Sequence, residues 1–233
     1  RDAQESRGLG DVYKRQLMGL TVLFSVFFSV ALFIVLPYLI SEFMKNSLEI
    51  RSNTALSVVE GVVRIAIFIL YIVLISLMKD IKRTYMYHGA EHKCINCIEH
   101  GMDLTVENVR KSSRLHKRCG TSFLLIVMII SIFFFMFIHV DSRVLRLVLR
   151  LVLIPVIAGV SFEFIRLAGR SDNALINLLS KPGLLLQHIT TKEPEDDMIE
   201  VGIASVEAVF DWKTYVEEIR QEDSREHDIS GSN

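Results

Sequence analysis

The sequence predicts an all-α, polytopic helical membrane protein: about four transmembrane helices, a cytosolic loop between the second and third, and a C-terminal amphipathic helix. Three observations carry that prediction. Apolar residues make up 51% of the 233 residues and the mean hydropathy is +0.38, high for a water-soluble domain of this length. They gather into runs of roughly 20 residues, the length that crosses a hydrocarbon core about 30 Å thick at about 1.5 Å per residue. The polar residues gather between the runs, with basic residues beside them and acidic residues in the C-terminal tail.

Residues 1–16 read as an adapter-like scar rather than native sequence, because Asp11-Val12-Tyr13-Lys14-Arg15-Gln16 is the translation of a transposon-adapter end used in sequencing libraries. On this expectation the natural protein starts further upstream. Leu17–Ile40 is the first span, uncharged, with Pro37 near its end. It exceeds the apolar core of a signal peptide, and no small-residue cleavage site follows Tyr38. Ser41–Glu60 is a polar external connection that can itself be helical. Val62–Met78 is the second span, with Arg64 close enough to one end to snorkel. Thr121–Val140 is the third, broken only by His139, and Leu147–Leu167 is the fourth, with Arg150 near one end and Glu163 and Arg166 near the other.

The membrane domain is therefore 17–170, and it contains the polar loop 79–120. That loop holds Lys79, Lys82, Arg83, Lys93, Arg110, Lys111, Arg114, Lys117 and Arg118, far more basic residues than the stretch 41–61, so the positive-inside rule places it in the cytosol. The single positive charge in the turn at Asp141 and Arg143 is outweighed. With four spans, both termini are cytoplasmic and the protein sits in the plasma (inner) membrane. Residues 171–233 form a cytosolic segment. Within it Lys181-Pro182-Gly183 is a turn, and Pro194-Glu195-Asp196-Asp197 opens a helix with apolar residues at Ile199, Ile203, Val206 and Phe210. That amphipathic helix is expected on the membrane or on the protein's own cytosolic face, and a charged, disordered tail is expected from Glu217. A net charge of −1 leaves no basic field for nucleic acid, and three cysteines, an odd number, suit a reducing compartment.

The chemistry concentrates in the polar loop. His88-Gly89-Ala90-Glu91-His92 places two imidazoles four residues apart, on one face of a helix, with Glu91 three from His88. The pattern is the inverted form of the zinc-peptidase motif, in which the histidines grip the ion and the glutamate activates water. A solvated helix end near the headgroups would carry the same residues. His116 and Cys119 form a second nitrogen-and-sulfur pair at the entrance to the third span, in a segment that also reads as a basic belt meeting anionic lipid headgroups. Cys94-Ile95-Asn96-Cys97 is a lone C-x-x-C that lacks a second pair. Glu163, ionisable inside a span, either pairs with Arg166 or faces a site. Topology brings the ends of spans two, three and four to one cytosolic rim, where His88, His92, His116, Cys119 and Glu163 can meet, while His139 falls at the opposite end. Thr105 reads as the N-cap of a short helix that explains Glu107.

Tyr87-His88-Gly89-Ala90-Glu91-His92-Lys93, Leu104-Thr105-Val106-Glu107-Asn108-Val109-Arg110, and His116-Lys117-Arg118-Cys119-Gly120-Thr121-Ser122-Phe123 together resemble the DUF1385 family. The resemblance continues through Arg166-Leu167-Ala168-Gly169-Arg170, Pro182-Gly183-Leu184 and Thr190-Thr191-Lys192-Glu193-Pro194, and so covers most of the chain after about Val58. It implies a bacterial multi-span membrane protein of uncharacterised role, often labelled a predicted metal-dependent enzyme, and it raises His88, Glu91, His92, His116 and Cys119. Lys117 and Cys94 depart from the family pattern, which has proline and threonine there. The family's Gly-rich N-terminal segment is replaced by the adapter-like residues.

These readings converge on a metal-dependent hydrolase with a site at the cytosolic rim. His88 and His92 are expected as ligands of a divalent ion, zinc by preference, with His116, Cys119 or Glu163 as the third, and Glu91 as general base. The rival is a non-catalytic membrane scaffold or assembly factor in which the same residues staple the loop to the helix ends. A transporter ranks third, because no broken-helix repeat is evident. The expected partners are the lipid bilayer and anionic lipid headgroups.

Overall fold

A computed structural model describes residues 2–47, 52–138, 140, 143–171 and 173–230. His139 and Asp141 lie outside the described residues, as do Glu49 and Arg51 of the external connection. Among the described residues every regular element is helical. α1 (Asp2–Val30) passes through a π-helical turn (Ala31–Val35) into α2 (Leu36–Ser47), and α3 runs from Asn53 to Ser76. α4 (Lys79–Glu99) and the short α5 (Val106–Lys111) occupy the polar loop. α6 (Gly120–Met136) and α7 (Arg143–Ala168) are apolar, and α8 (Ala174–Thr190), α9 (Asp196–Val209) and α10 (Trp212–Ser230) complete the chain.

Among the described residues, three stretches are long and apolar enough to cross a membrane: Tyr13–Ser47, Thr54–Ser76 and Val148–Ala168. The 17-residue Gly120–Met136 is a shorter apolar helix. The second span starts earlier than its composition suggests. Asn53–Glu60, expected in a connection, is already helical, and α3 stops at Ser76 rather than Met78.

The chain divides into two compact units, Arg1–Phe68 with Ser131–Leu147, and Ile69–Ile130 with Val148–Asn233. In the first, Arg64 does not snorkel as its position near a span end suggests. Its guanidinium binds Glu60 Oε1 at 2.7 Å and donates from Nε to the Phe33 carbonyl at 3.2 Å. Phe33 lies in the π-helical turn, where the ordinary helical pairing of carbonyls is interrupted. A charged pair away from water is tolerable when it is both neutralised and hydrogen-bonded, and here it is both.

In the second unit the polar loop folds as a helical subdomain. α4 packs against α5, α9 and α10 around Cys94, Cys97, Ile98, Leu104, Val109, Ile199 and Val216. The C-x-x-C is thus part of an apolar core, and burial pushes the Cys94 thiol up to about 12, which makes it inert. α5 is capped as expected, with the Thr105 side chain accepting from the Asn108 amide, and Glu107 paired with Lys111 at 2.8 Å. α9 lies on the protein's own face, burying Met198 and Ile199. The charged segment from Glu217, expected without regular structure, is helical through Ser230. Its anchor is local: Val216 is buried, and Arg220 donates to the Gly101 carbonyl and to Asp103.

Candidate metal centre

His88, His92, Asn96 and Glu99 recur every three or four residues, so they form one face of α4. Opposite this face runs the irregular segment 112–119, whose backbone has no helix or sheet to satisfy it. Side chains do so instead. His92 Nδ1 donates to the Arg114 carbonyl at 2.8 Å, and Asn96 Nδ2 donates to those of Ser113 (2.7 Å) and Leu115 (3.0 Å). The buried Lys93 ammonium donates to the carbonyls of Arg110 and Ser112, both at 2.9 Å, and pairs with Glu193 at 2.6 Å. From α8 the fully buried Gln187 accepts from the His116 amide at 2.8 Å and donates to its carbonyl at 2.7 Å. Each bond satisfies a group that would cost about 1–3 kcal/mol if left unpaired. Together they fix the path that delivers Cys119 to α4.

The result is a cluster of His88, His92 and Cys119 in which one donor atom from each lies within 4.8 Å of the others. His88 Nε2 is 3.3 Å from Cys119 Sγ, and the two imidazole rings are 4.4 Å apart. Both rings are oriented from behind: His88 Nδ1 bonds the Thr190 carbonyl at 2.9 Å, as His92 Nδ1 bonds that of Arg114. A carbonyl only accepts, so each Nδ1 carries a proton and each Nε2 is the atom turned to the cluster: protonated, it donates to the Cys119 sulfur, and with that proton displaced by an ion it offers a lone pair. That is the outer-shell arrangement by which proteins set the tautomer of a metal-binding histidine.

Two imidazoles and a thiolate are a zinc-type donor set, and a tetrahedral ion with bonds of about 2.0–2.3 Å separates its ligands by roughly 3.3–3.7 Å. The His88–Cys119 contact already has that spacing. The sulfur is also prepared for the role. Burial raises the Cys119 thiol, but hydrogen bonds from His88, His92 and Thr121 outweigh burial and hold it at about 5. His88 is raised in turn, chiefly by its bond to Cys119 and against the effect of burial, with the Thr190 carbonyl adding to the rise. Thr121 Oγ1 lies 3.2 Å from the sulfur and 3.4 Å from Thr190 Oγ1, which ties the cluster to α8 again.

Of the residues expected at the site, the fold brings together these three. His116 stands one layer out, its ring 5.8 Å from that of His92 and its Nε2 donating to Glu99 at 3.1 Å. Burial raises the Glu99 carboxyl, but His116 and Arg118 overcome that and hold it below its ordinary range. Glu163 is exposed on α7 and pairs with Arg166 at 3.2 Å, the local alternative its spacing allowed. Glu91 is exposed on α4 and acts on His88 through its charge. The supporting residues Lys93, Asn96, Glu99 and Gln187 escaped the sequence reading. A three-to-four-residue polar periodicity marks Asn96 and Glu99, whereas Gln187 carries no local signal.

The sequence model of a family described as protein of unknown function, DUF1385, matches residues 3–212. The chain is 39% identical over 206 residues to "Uncharacterized protein YqhQ" of Bacillus subtilis (strain 168). The aligned region covers 88% of this chain and 63% of that protein, so the chain spans less than two thirds of its relative's length. No solved structure matches.

Proposed function

We propose that this chain, which belongs to the DUF1385 family, is a membrane protein that holds a zinc-like divalent ion on His88, His92 and Cys119 and uses it for hydrolysis at the membrane surface. The observation that carries this reading is the cluster of three donors within 4.8 Å, His92 and Cys119 buried and His88 half-buried, with both histidines oriented through Nδ1 by backbone carbonyls. Three protein ligands favour a catalytic over a structural site, because structural zinc is usually closed by four. A bound ion would supply Lewis acidity toward a scissile carbonyl. Glu91, exposed and three residues from His88, would take the proton from the attacking water. His116 and Glu99 would hold the second layer in place. Peptide or lipid-linked molecules at the bilayer are the substrate class. The excess of basic residues in 79–118 supports a cytosolic position for the loop and both termini in the plasma membrane.

Metal content of the detergent-purified protein, beside a His88→Ala/His92→Ala double variant, tests the centre. About one ion per chain, lost in the variant, supports it, and no ion in either protein rejects it. The scaffold reading is favoured by one observation: the carbonyls that orient the histidines come from segments other than α4, so an ion would tie α4, α6 and α8 together. Glu91→Gln separates the readings. A hydrolase keeps its ion and loses activity; a scaffold keeps both ion and function.

A further inference from the structure

α8 is built inside out for a helix in water. Its polar and small residues face the protein: Ser180, Gly183, Gln187 and Thr190 are buried. Gln187 Nε2 donates to Ser122 Oγ at 2.6 Å, and a Cβ on Gly183 would lie 2.8 Å from the Ser122 Cβ, so α8 packs directly on the first turn of α6. Four of its six leucines face outward, while Leu186 is buried and Leu184 half-buried. Leu175, Leu178, Leu179 and Leu185 are 63%, 57%, 51% and 66% exposed, and their spacing of three, four and six to seven residues gathers them into one stripe. Lys181 and His188, seven apart and both exposed, form a third, polar face, and α8 has no acidic residue.

We infer that α8 lies in the plane of the membrane interface, its leucine stripe among the acyl chains and Lys181 among anionic headgroups. Two features set its depth. α7 crosses the membrane as far as Ala168, and α8 begins at Ala174. The buried face of α8 rests on Ser122, at the start of an apolar helix, beside Arg118, whose side chain packs where a Cβ on Gly169 would sit. The end of α7, the start of α6 and α8 therefore share one level, with Arg118, Arg166 and Lys181 exposed around it. An apolar stripe at the level where a spanning helix ends, flanked by cations, is the pattern of an interfacial helix. This inference holds with or without a bound ion. Its consequence is positional, because the Thr190 carbonyl that orients His88 ends this helix, so the cluster stands at the headgroup layer.

The test uses tryptophan as a depth probe. In the full chain carrying Trp212→Phe, single variants Leu178→Trp, Leu185→Trp and His188→Trp are reconstituted in phosphatidylethanolamine–phosphatidylglycerol vesicles, with lipids brominated either high on the chain or near its end. The inference expects residues 178 and 185 to lose emission most strongly to bromine placed high on the chain, at a depth of roughly 5–10 Å, and residue 188 to be quenched by aqueous iodide. Iodide quenching at 178 and 185 would place the stripe in water and overturn it. Shielding of both from lipid and iodide alike would mean that a second copy or another protein covers the stripe, and would also overturn it.

Discussion

Gly89 shows how a residue that weakens a helix becomes necessary to it. Alanine there would add about 1 kcal/mol of helix propensity. Its Cβ would stand 2.0 Å from the Lys192 carbonyl oxygen, a backbone atom whose own amide is already held by the Tyr85 carbonyl at 2.8 Å. Backbone cannot swing aside as a side-chain end does, so the clash outweighs the propensity. Gly89→Ala is expected to lower stability by about 2 kcal/mol net, read from thermal unfolding in detergent. Cys119 makes the second residue-scale case. Held at about 5 by its hydrogen bonds, it is thiolate at neutral pH while Cys94 is not. In chelator-treated protein, iodoacetamide is expected to modify Cys119 at a rate that is flat down to about pH 6 and falls through about 5. The folded state binds fewer protons here than the unfolded one, whose thiol titrates near about 8.5. The stability contributed is therefore complete above that value and lost as pH falls through about 5. A Cys119 rate that drops already below pH 8 would contradict the hydrogen-bonded cluster.

At the scale of elements, the segment 112–119 is held by α4 and α8 through side chains rather than through backbone pairing. Asn96 and Gln187 do most to fix its course near His116, and neither belongs to the donor cluster. Asn96→Ala and Gln187→Ala are accordingly expected to weaken ion binding by about 10–100-fold while leaving all three donors present, measured by competition with a chromophoric chelator. Unchanged affinity would mean that Cys119 finds His88 without this clamp. The pattern also explains why the elements were unevenly legible. α5 was readable from its Thr105 cap, and α9 from its acidic first turn and apolar spacing, because both signals are local. α8 was not: its apolar stripe points outward, and Lys181-Pro182-Gly183, which reads as a turn, lies within a continuous helix where Gly183 is needed for contact with Ser122.

For the whole molecule, the charge asymmetry of the loops predicts that reporter fusions within 79–118 and after Ser230 report the cytosol, and that a fusion in the connection between α2 and α3 reports the other side. Cytosolic signal from all three positions would remove the four-span arrangement. The sequence by itself determined the helical membrane class, the apolar runs, the polar loop and the family, since these rest on composition, run length and motif order. It also supplied His88, His92 and Cys119 among a larger set of candidates. Only the tertiary structure decided that these three meet, that His116 turns to Glu99 and Glu163 to Arg166, and that Arg64 pairs with Glu60 against the Phe33 carbonyl. The reason is separation along the chain. Cys119 lies 31 residues from His88, and the Thr190 carbonyl that orients His88 lies 102 away. Contacts at such distances depend on how α4, α6 and α8 pack, which no local periodicity records.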